Sequence, residues 1–161
     1  MSHSNVLIVG GGCAGIAVAS RINSLKSDLS ISIIEPSDKS LYQAAWTLVG
    51  AGAYDVGNTI KPMSEVMPGY VKWIKEYAEE FMPESNSVKT NNGSYTYDYL
   101  VVCPGLKLNF DGVAGLKENL GKNNVSVSYT HLRANETPEH IVCRLLLEKK
   151  KGGGGGGGGG G

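Results

Sequence analysis

Within its first thirty-five residues the chain runs Val6-Leu7-Ile8-Val9, then Gly10-Gly11-Gly12-Cys13-Ala14-Gly15, then Ile31-Ser32-Ile33-Ile34-Glu35. This order constrains the fold more than anything else in the sequence, because each part has a separate physical task. A run of four apolar residues is a strand buried on both faces of a parallel sheet. Gly10 lets the chain turn tightly off that strand, Gly12 lets backbone approach a pyrophosphate, and Gly15 lets the following helix pack closely on the sheet. That helix, opening at Cys13 and Ala14, turns its N-terminal N–H groups and the positive end of its dipole toward the phosphates. Glu35 closes the second strand, where a carboxylate can accept hydrogen bonds from a ribose diol. Strand, glycines, helix and acid in register predict a Rossmann-type βαβ unit. A glycine-rich surface loop with a chance acid is the weaker alternative.

Between the two strands, Ile16, Ala19, Ile22 and Leu25 recur at helical spacing over residues 13–26, which predicts one apolar stripe. Ala19 keeps the helix slim where it crosses the sheet. The 161 residues suit one domain of ordinary size. A formal net charge of zero argues against a nucleic-acid partner. No apolar run approaches the roughly 18 residues needed to span a bilayer. Because the first buried strand is reached by Val6, no secretory signal is expected, and residues 1–5, short and arginine-free, are not expected to be a mitochondrial targeting peptide. The three cysteines, Cys13, Cys103 and Cys143, have neither metal-ligand nor C-x-x-C spacing, so no metal site is expected.

Beyond Glu35, residues 36–40 read as a loop and residues 59–67 as a short helix ended by Met67-Pro68-Gly69. Residues 71–74, 77–82 and 87–90 are strand-like. Asn92-Gly93 is a tight-turn signal, and residues 94–98 return as a paired strand. Tyr95, Tyr97 and Tyr99 alternate as ordinary strand patterning. Residues 100–103 form a second apolar run, expected to be another central parallel strand closed by Pro104-Gly105. The predicted class is α/β, a parallel sheet carrying an antiparallel β-meander insertion.

The chain changes character near residue 126. Lys149-Lys150-Lys151 precede ten consecutive glycines, residues 152–161. Residues 127–134 back-translate to GTC-TCT-TAT-ACA-CAT-CTC-CGA-GCC, which resembles the mosaic end and read adaptor of transposase-based sequencing libraries. Residues 142–148 similarly resemble the flow-cell end of such an adaptor. The expectation is therefore a partial domain over residues 1–125 and, over 126–161, an adaptor-derived tail that is not a domain. Thr137, Pro138, Ile141 and Leu145 complete an amphipathic helical pattern there. The tail is nonetheless expected to be disordered or to pack little against the first 125 residues.

Five segments together resemble the sulfide:quinone oxidoreductases of the pyridine nucleotide-disulfide reductase superfamily. They are the glycine block, Glu35-Pro36-Ser37, Tyr42-Gln43-Ala44-Ala45-Trp46-Thr47-Leu48-Val49-Gly50, Val71-Lys72-Trp73-Ile74, and residues 97–106 with Cys103-Pro104-Gly105. The block from Tyr42 to Gly50 discriminates this family from generic reductases. The resemblance covers residues 5 to about 125, the N-terminal third of such an enzyme. Ala44 departs from a usual proline and Cys103 from a usual alanine.

This resemblance implies FAD as cofactor, with Gly10, Gly12, Cys13, Ala14, Gly15, Glu35, Pro36, Gln43, Trp46, Pro104 and Gly105 among its contacts and the backbone of Ala78 at the adenine. Tyr42 and Trp46 either flank the flavin or cover the sheet edge. It also implies a two-electron oxidation in which sulfide attacks a cysteine disulfide, a persulfide forms, and electrons reach a quinone through FAD. The family's principal redox cysteines lie beyond residue 125, so the catalytic residues are unknown and the fragment itself is expected to be inactive. Cys13 reads as a small residue beside the pyrophosphate and Cys103 as a buried small hydrophobe. Sulfide and quinone are the implied partners of the full-length parent. Membrane contact would come only through parts absent here. For a eukaryotic source, the implied location is mitochondrial, on the matrix side of the inner membrane. Alternatives are an NADH:quinone reductase, a flavocytochrome sulfide dehydrogenase subunit, or a non-catalytic nucleotide-binding fragment.

Overall fold

The computed structural model describes residues 2–26, 28–106, 109–120 and 122. The expectations for residues 126–161, including the helical pattern at Thr137 and Ile141, lie outside the described residues. The elements are β1 Ser2–Val9, α1 Cys13–Leu25, β2 Ile31–Ile34, β3 Lys39–Leu41, α2 Trp46–Gly50, β4 Ile60–Pro62, α3 Met63–Val66, β5 Val71–Ile74, β6 Ala78–Met82, β7 Ser87–Thr90, β8 Ser94–Val102 and α4 Leu116–Asn119. Among the described residues they fall into two compact units, one made by the described residues of 2–41 and 60–106, the other by those of 42–59 and 109–122.

The first unit is a Rossmann-type sheet in the order β5-β2-β1-β8-β7-β6. β1 lies parallel to both β2 and β8, β2 is parallel to β5, and β6, β7 and β8 run antiparallel. Period-two alternation sends successive β1 side chains to opposite faces. Val6 and Ile8 pack with Ala19, Ile31, Ile33 and Val71 on the face that α1 covers. Leu7 and Val9 pack with Ile34, Ile74, Val88 and Tyr97 on the face that the meander covers. All four β1 apolar residues are buried, as expected of a strand sandwiched on both sides.

Three expectations need correction. The stripe that α1 buries contains Gly15, Val18, Ala19 and Ile22, whereas Leu25 is 69% exposed. At 3.6 residues per turn, a strict spacing of three drifts by about 60° per step, so Leu25 sits on the opposite side from Ile16. Residues 94–98 and 100–103 are not two strands, because β8 runs unbroken from Ser94 to Val102. No turn residue separates the two halves, and Tyr99 is itself a good strand former. This long strand lets β1 begin at Ser2, whose partner is Tyr95. Finally, the expected helix over 59–67 shrinks to Met63–Val66. Ile60–Pro62 instead pairs with Lys39–Leu41 as a small antiparallel ribbon. Pro62 cannot sit inside a helix and precedes the first helical residue.

In the second unit, a 3-10 turn over Gln43–Ala45 leads into α2, and another over Val56–Thr59 follows it. Ala45, Trp46, Val49 and Thr59 are its buried residues in this stretch. The Thr59 hydroxyl donates to the Val56 carbonyl at 2.7 Å, and the Thr59 carbonyl accepts the Tyr42 N–H at 2.7 Å. A 3-10 turn over Phe110–Gly112, capped by the Asn109 side chain, precedes α4.

Candidate cofactor site at the glycine bend

The parallel strands deliver the chain to the bend already aligned. The Gly10 N–H donates to the Ile34 carbonyl at 2.9 Å, and the Cys103 N–H donates to the Val9 carbonyl at 2.8 Å. Gly10 has φ +108°, and a Cβ there would lie 2.1 Å from the Cys103 carbonyl oxygen. A Cβ on Gly15 would lie 1.9 Å from the Gly10 oxygen, so α1 can cross the bend only because that residue has no side chain. Gly12 differs, since a Cβ there would meet nothing within 4 Å. Its freedom from side-chain bulk is not needed for packing, which leaves open space over the backbone where α1 begins. The helix has no side-chain cap and no acidic residue in its first turn. Its leading N–H groups, from Cys13, Ala14 and Gly15, therefore lack intrahelical acceptors and form a ready anion site.

Glu35 stands at the mouth of this bend. One carboxylate oxygen accepts the Gly11 N–H at 2.8 Å and the other accepts the Ser37 N–H at 2.8 Å. A carboxylate offers about four acceptor positions, so two backbone donors leave about two for a diol. Gly11 was not singled out by its residue type, yet a Cβ there would lie 2.7 Å from the Glu35 Cβ. The only sequence signal for it is its place as the middle glycine of an uninterrupted run of three. The backbone of Glu35 is held as well: its N–H donates to the Ile74 carbonyl and its carbonyl accepts the Trp73 indole N–H, both at 2.9 Å.

The remaining candidates are distributed unevenly. Cys103 underlies the bend, with its thiol 3.6 Å from the Gly10 oxygen, and burial pushes that thiol above its ordinary value. Pro104 and Gly105 follow as exposed residues, Gly105 with φ +80°. Cys13 is exposed and Pro36 half-buried. Ala78 opens β6 and packs against the cluster on the meander face. Gln43 and Trp46 belong to the second unit. Gln43 is exposed, and Trp46 is buried at 3% exposure with its indole N–H lacking a hydrogen-bond partner. The bend thus gathers Gly10, Gly11, Gly12, Cys13, Gly15, Glu35 and Cys103. These residues fit a dinucleotide in three respects: a cradle free of side chains, unsatisfied helix N–H groups, and a carboxylate with acceptor capacity to spare. Among the described residues no cluster of His, Cys, Asp or Glu could hold a metal ion, and no helix is long and apolar enough to cross a membrane.

Residues 4–143 match the family described as pyridine nucleotide-disulphide oxidoreductase. The mitochondrial sulfide:quinone oxidoreductase of Dictyostelium discoideum is 43% identical over 140 residues, covering 86% of this chain and 31% of that protein. The sulfide:quinone oxidoreductase structure from Aquifex aeolicus matches with a TM-score of 0.65 at 29% identity, covering 96% of this chain and 33% of that one. A type II NADH:quinone oxidoreductase of Staphylococcus haemolyticus is 29% identical over 119 residues, covering 72% of this chain and 30% of that protein. The chain spans about a third of the length of these relatives.

Proposed function

Because this chain belongs to the pyridine nucleotide-disulphide oxidoreductase family, we propose that it is the FAD-binding part of a sulfide:quinone oxidoreductase. The observation that carries the reading is the Glu35 carboxylate fixed at the mouth of the glycine bend by the N–H groups of Gly11 and Ser37. In this reading the two remaining acceptor positions of Glu35 take the ribose hydroxyls of the adenosine half. The open backbone at Gly12 and the leading N–H groups of α1 receive the pyrophosphate, whose charge complements the helix dipole. Pro36, Pro104 and Gly105 border the same end of the parallel strands, and Ala78 offers backbone to the adenine. When bound, FAD supplies two-electron oxidation and reduction, which no side chain of the chain can perform alone.

Sulfide as electron donor and quinone as acceptor belong to the whole protein, as does any membrane contact. A mitochondrial location follows the Dictyostelium relative. Residues 1–125 act as the partial domain and residues 126–161 as a non-domain tail. The chain alone holds the cofactor without turning over sulfide. The similarity to the Staphylococcus enzyme favours one second reading, with NADH in place of sulfide.

Reconstitution of the full 161-residue chain with FAD tests the assignment. The expected result is saturable quenching of flavin fluorescence, weakened at least tenfold by Glu35→Ala through loss of two charge-assisted hydrogen bonds. Binding that is absent, or that is indifferent to Glu35, would overturn it. Presenting sulfide and NADH separately to the longer protein decides between the donors.

A further inference from the structure

The segment Val71-Lys72-Trp73-Ile74 contributes β5 to the sheet, and a tryptophan suits a strand, but the indole N–H of Trp73 makes a bond that the β2–β5 ladder does not use. We propose that Trp73 is a positioning residue for Glu35, holding the turn that presents the ribose-binding carboxylate. The proposal rests on the reading that Glu35 accepts a ribose diol.

The argument begins where the ladder runs out. β2 and β5 pair in parallel with Ile33 opposite Trp73 and Ile34 opposite Ile74. The Glu35 N–H still finds the Ile74 carbonyl at 2.9 Å, but Glu35 lies past the end of β2. Its own carbonyl would need a donor from outside the ladder. The indole of Trp73, half-buried, reaches two residues ahead of its register position and donates to that carbonyl at 2.9 Å. Phenylalanine, leucine or isoleucine would fill the same space and leave the carbonyl unpaired.

The next contacts fix the rest of the turn. Lys75 lies with its ammonium 4.2 Å from the Trp73 ring centroid and 2.6 Å from the Asp38 carboxylate. Asp38 in turn accepts the Met63 N–H on its backbone carbonyl at 2.7 Å. The turn over residues 35–38 is therefore pinned at its start by the indole N–H and at its end by a lysine seated on the same ring. Between the pins, the Ser37 N–H grips one oxygen of the Glu35 carboxylate at 2.8 Å. Loosening either pin moves the Ser37 N–H, and with it the direction of the carboxylate. Lys75 and Asp38 are both exposed, so their ion pair contributes less than the indole bond.

Trp73→Phe in the full chain tests this, because it keeps an aromatic ring beneath Lys75 and deletes only the donor. Two readouts are expected. Without ligand, the Ser37 amide exchanges with deuterium faster than in the parent chain, while the Val6 to Val9 amides keep their protection. With FAD, affinity falls about fivefold, the loss expected of one hydrogen bond. That loss disappears when the same substitution is made in a Glu35→Ala background. A purely structural tryptophan would instead cost the same in both backgrounds, and that outcome overturns the proposal, as does unchanged Ser37 exchange. Should the parent chain bind no FAD, the functional reading above falls, and Ser37 exchange alone decides the role of Trp73. Lys75→Met, which leaves the indole in place, serves if Trp73→Phe does not fold: faster Ser37 exchange supports the clamp and unchanged exchange overturns it.

Discussion

A methyl group added in thought to each glycine of the bend separates structural from functional need. At Gly10 and Gly15 it would strike backbone atoms at 2.1 Å and 1.9 Å, neither of which can retreat without moving a strand or a helix. Gly10→Ala and Gly15→Ala are accordingly expected to cost about 3 kcal/mol or more, read as a lowered urea midpoint. Gly12→Ala meets nothing, so stability should stay within about 0.5 kcal/mol of the parent while FAD binding weakens. A Gly12→Ala chain that unfolds as readily as Gly10→Ala would contradict this division. Cys103 gives a residue-scale prediction in pH. Burial holds its thiol protonated above the ordinary value of 9.0, and burial together with the Glu76 contact does the same for Tyr95 above 10.0. The folded chain therefore keeps protons that the unfolded chain has released, and stability falls as pH rises past about 9. Urea titrations at neutral and alkaline pH should show that decline, and Cys103→Ser should lessen it. At neutral pH, alkylation followed by peptide mass mapping should label the exposed Cys13 well before Cys103.

The elements differ in how far they could be read in advance. Strands β1 and β2 and helix α1 were legible because apolar runs, glycines and an acid occupy positions with almost no alternative use. The position of Glu35, just past the end of β2 and beside the glycine bend, was legible for the same reason. The partners that hold it were not, since neither an additional glycine nor a strand tryptophan announces a hydrogen bond to a residue twenty-four or thirty-eight positions away. The ribbon of β3 and β4 was missed because three-residue strands carry too little periodicity to register. The meander was read in outline, although its anchoring was not. Glu76 accepts the Thr90 and Tyr95 hydroxyls at 2.5 Å and 2.9 Å, and Thr90 also binds the Gly93 N–H and carbonyl, tying the hairpin turn to the segment before β6. The corrected face of α1 yields its own test. Ala19→Leu should overpack a position with 0% exposure and cost about 1–3 kcal/mol, whereas Leu25→Lys should change stability by less than about 0.5 kcal/mol. Thermal melts of the two variants would exchange rank if the stripe ran through Leu25.

At the scale of the whole molecule, three of the exposed large apolar side chains among the described residues lie along and just after β8. Tyr99 is 70% exposed, Val102 54% and Leu106 79%. Exposed apolar side chains drive association where they form a contiguous patch. Replacing Val102 and Leu106 together by lysine should lower the sedimentation-average mass at high concentration without lowering the melting temperature. A lowered melting temperature with no change in mass would show that these side chains serve the fold instead. The sequence made the sandwiched sheet foreseeable from β1 alone, but nothing local could show that β8 serves both the meander and the parallel sheet. That double service has a consequence for biosynthesis. His3 meets Thr96 across 93 positions, and one flank of β1 has no partner until β8 has been made. At roughly 5–20 residues per second, the nascent chain spends about 5–20 s with that flank bare. Throughout that interval the backbone N–H and C=O groups along one edge of β1 stand open to any other extended segment that could pair with them before β8 arrives.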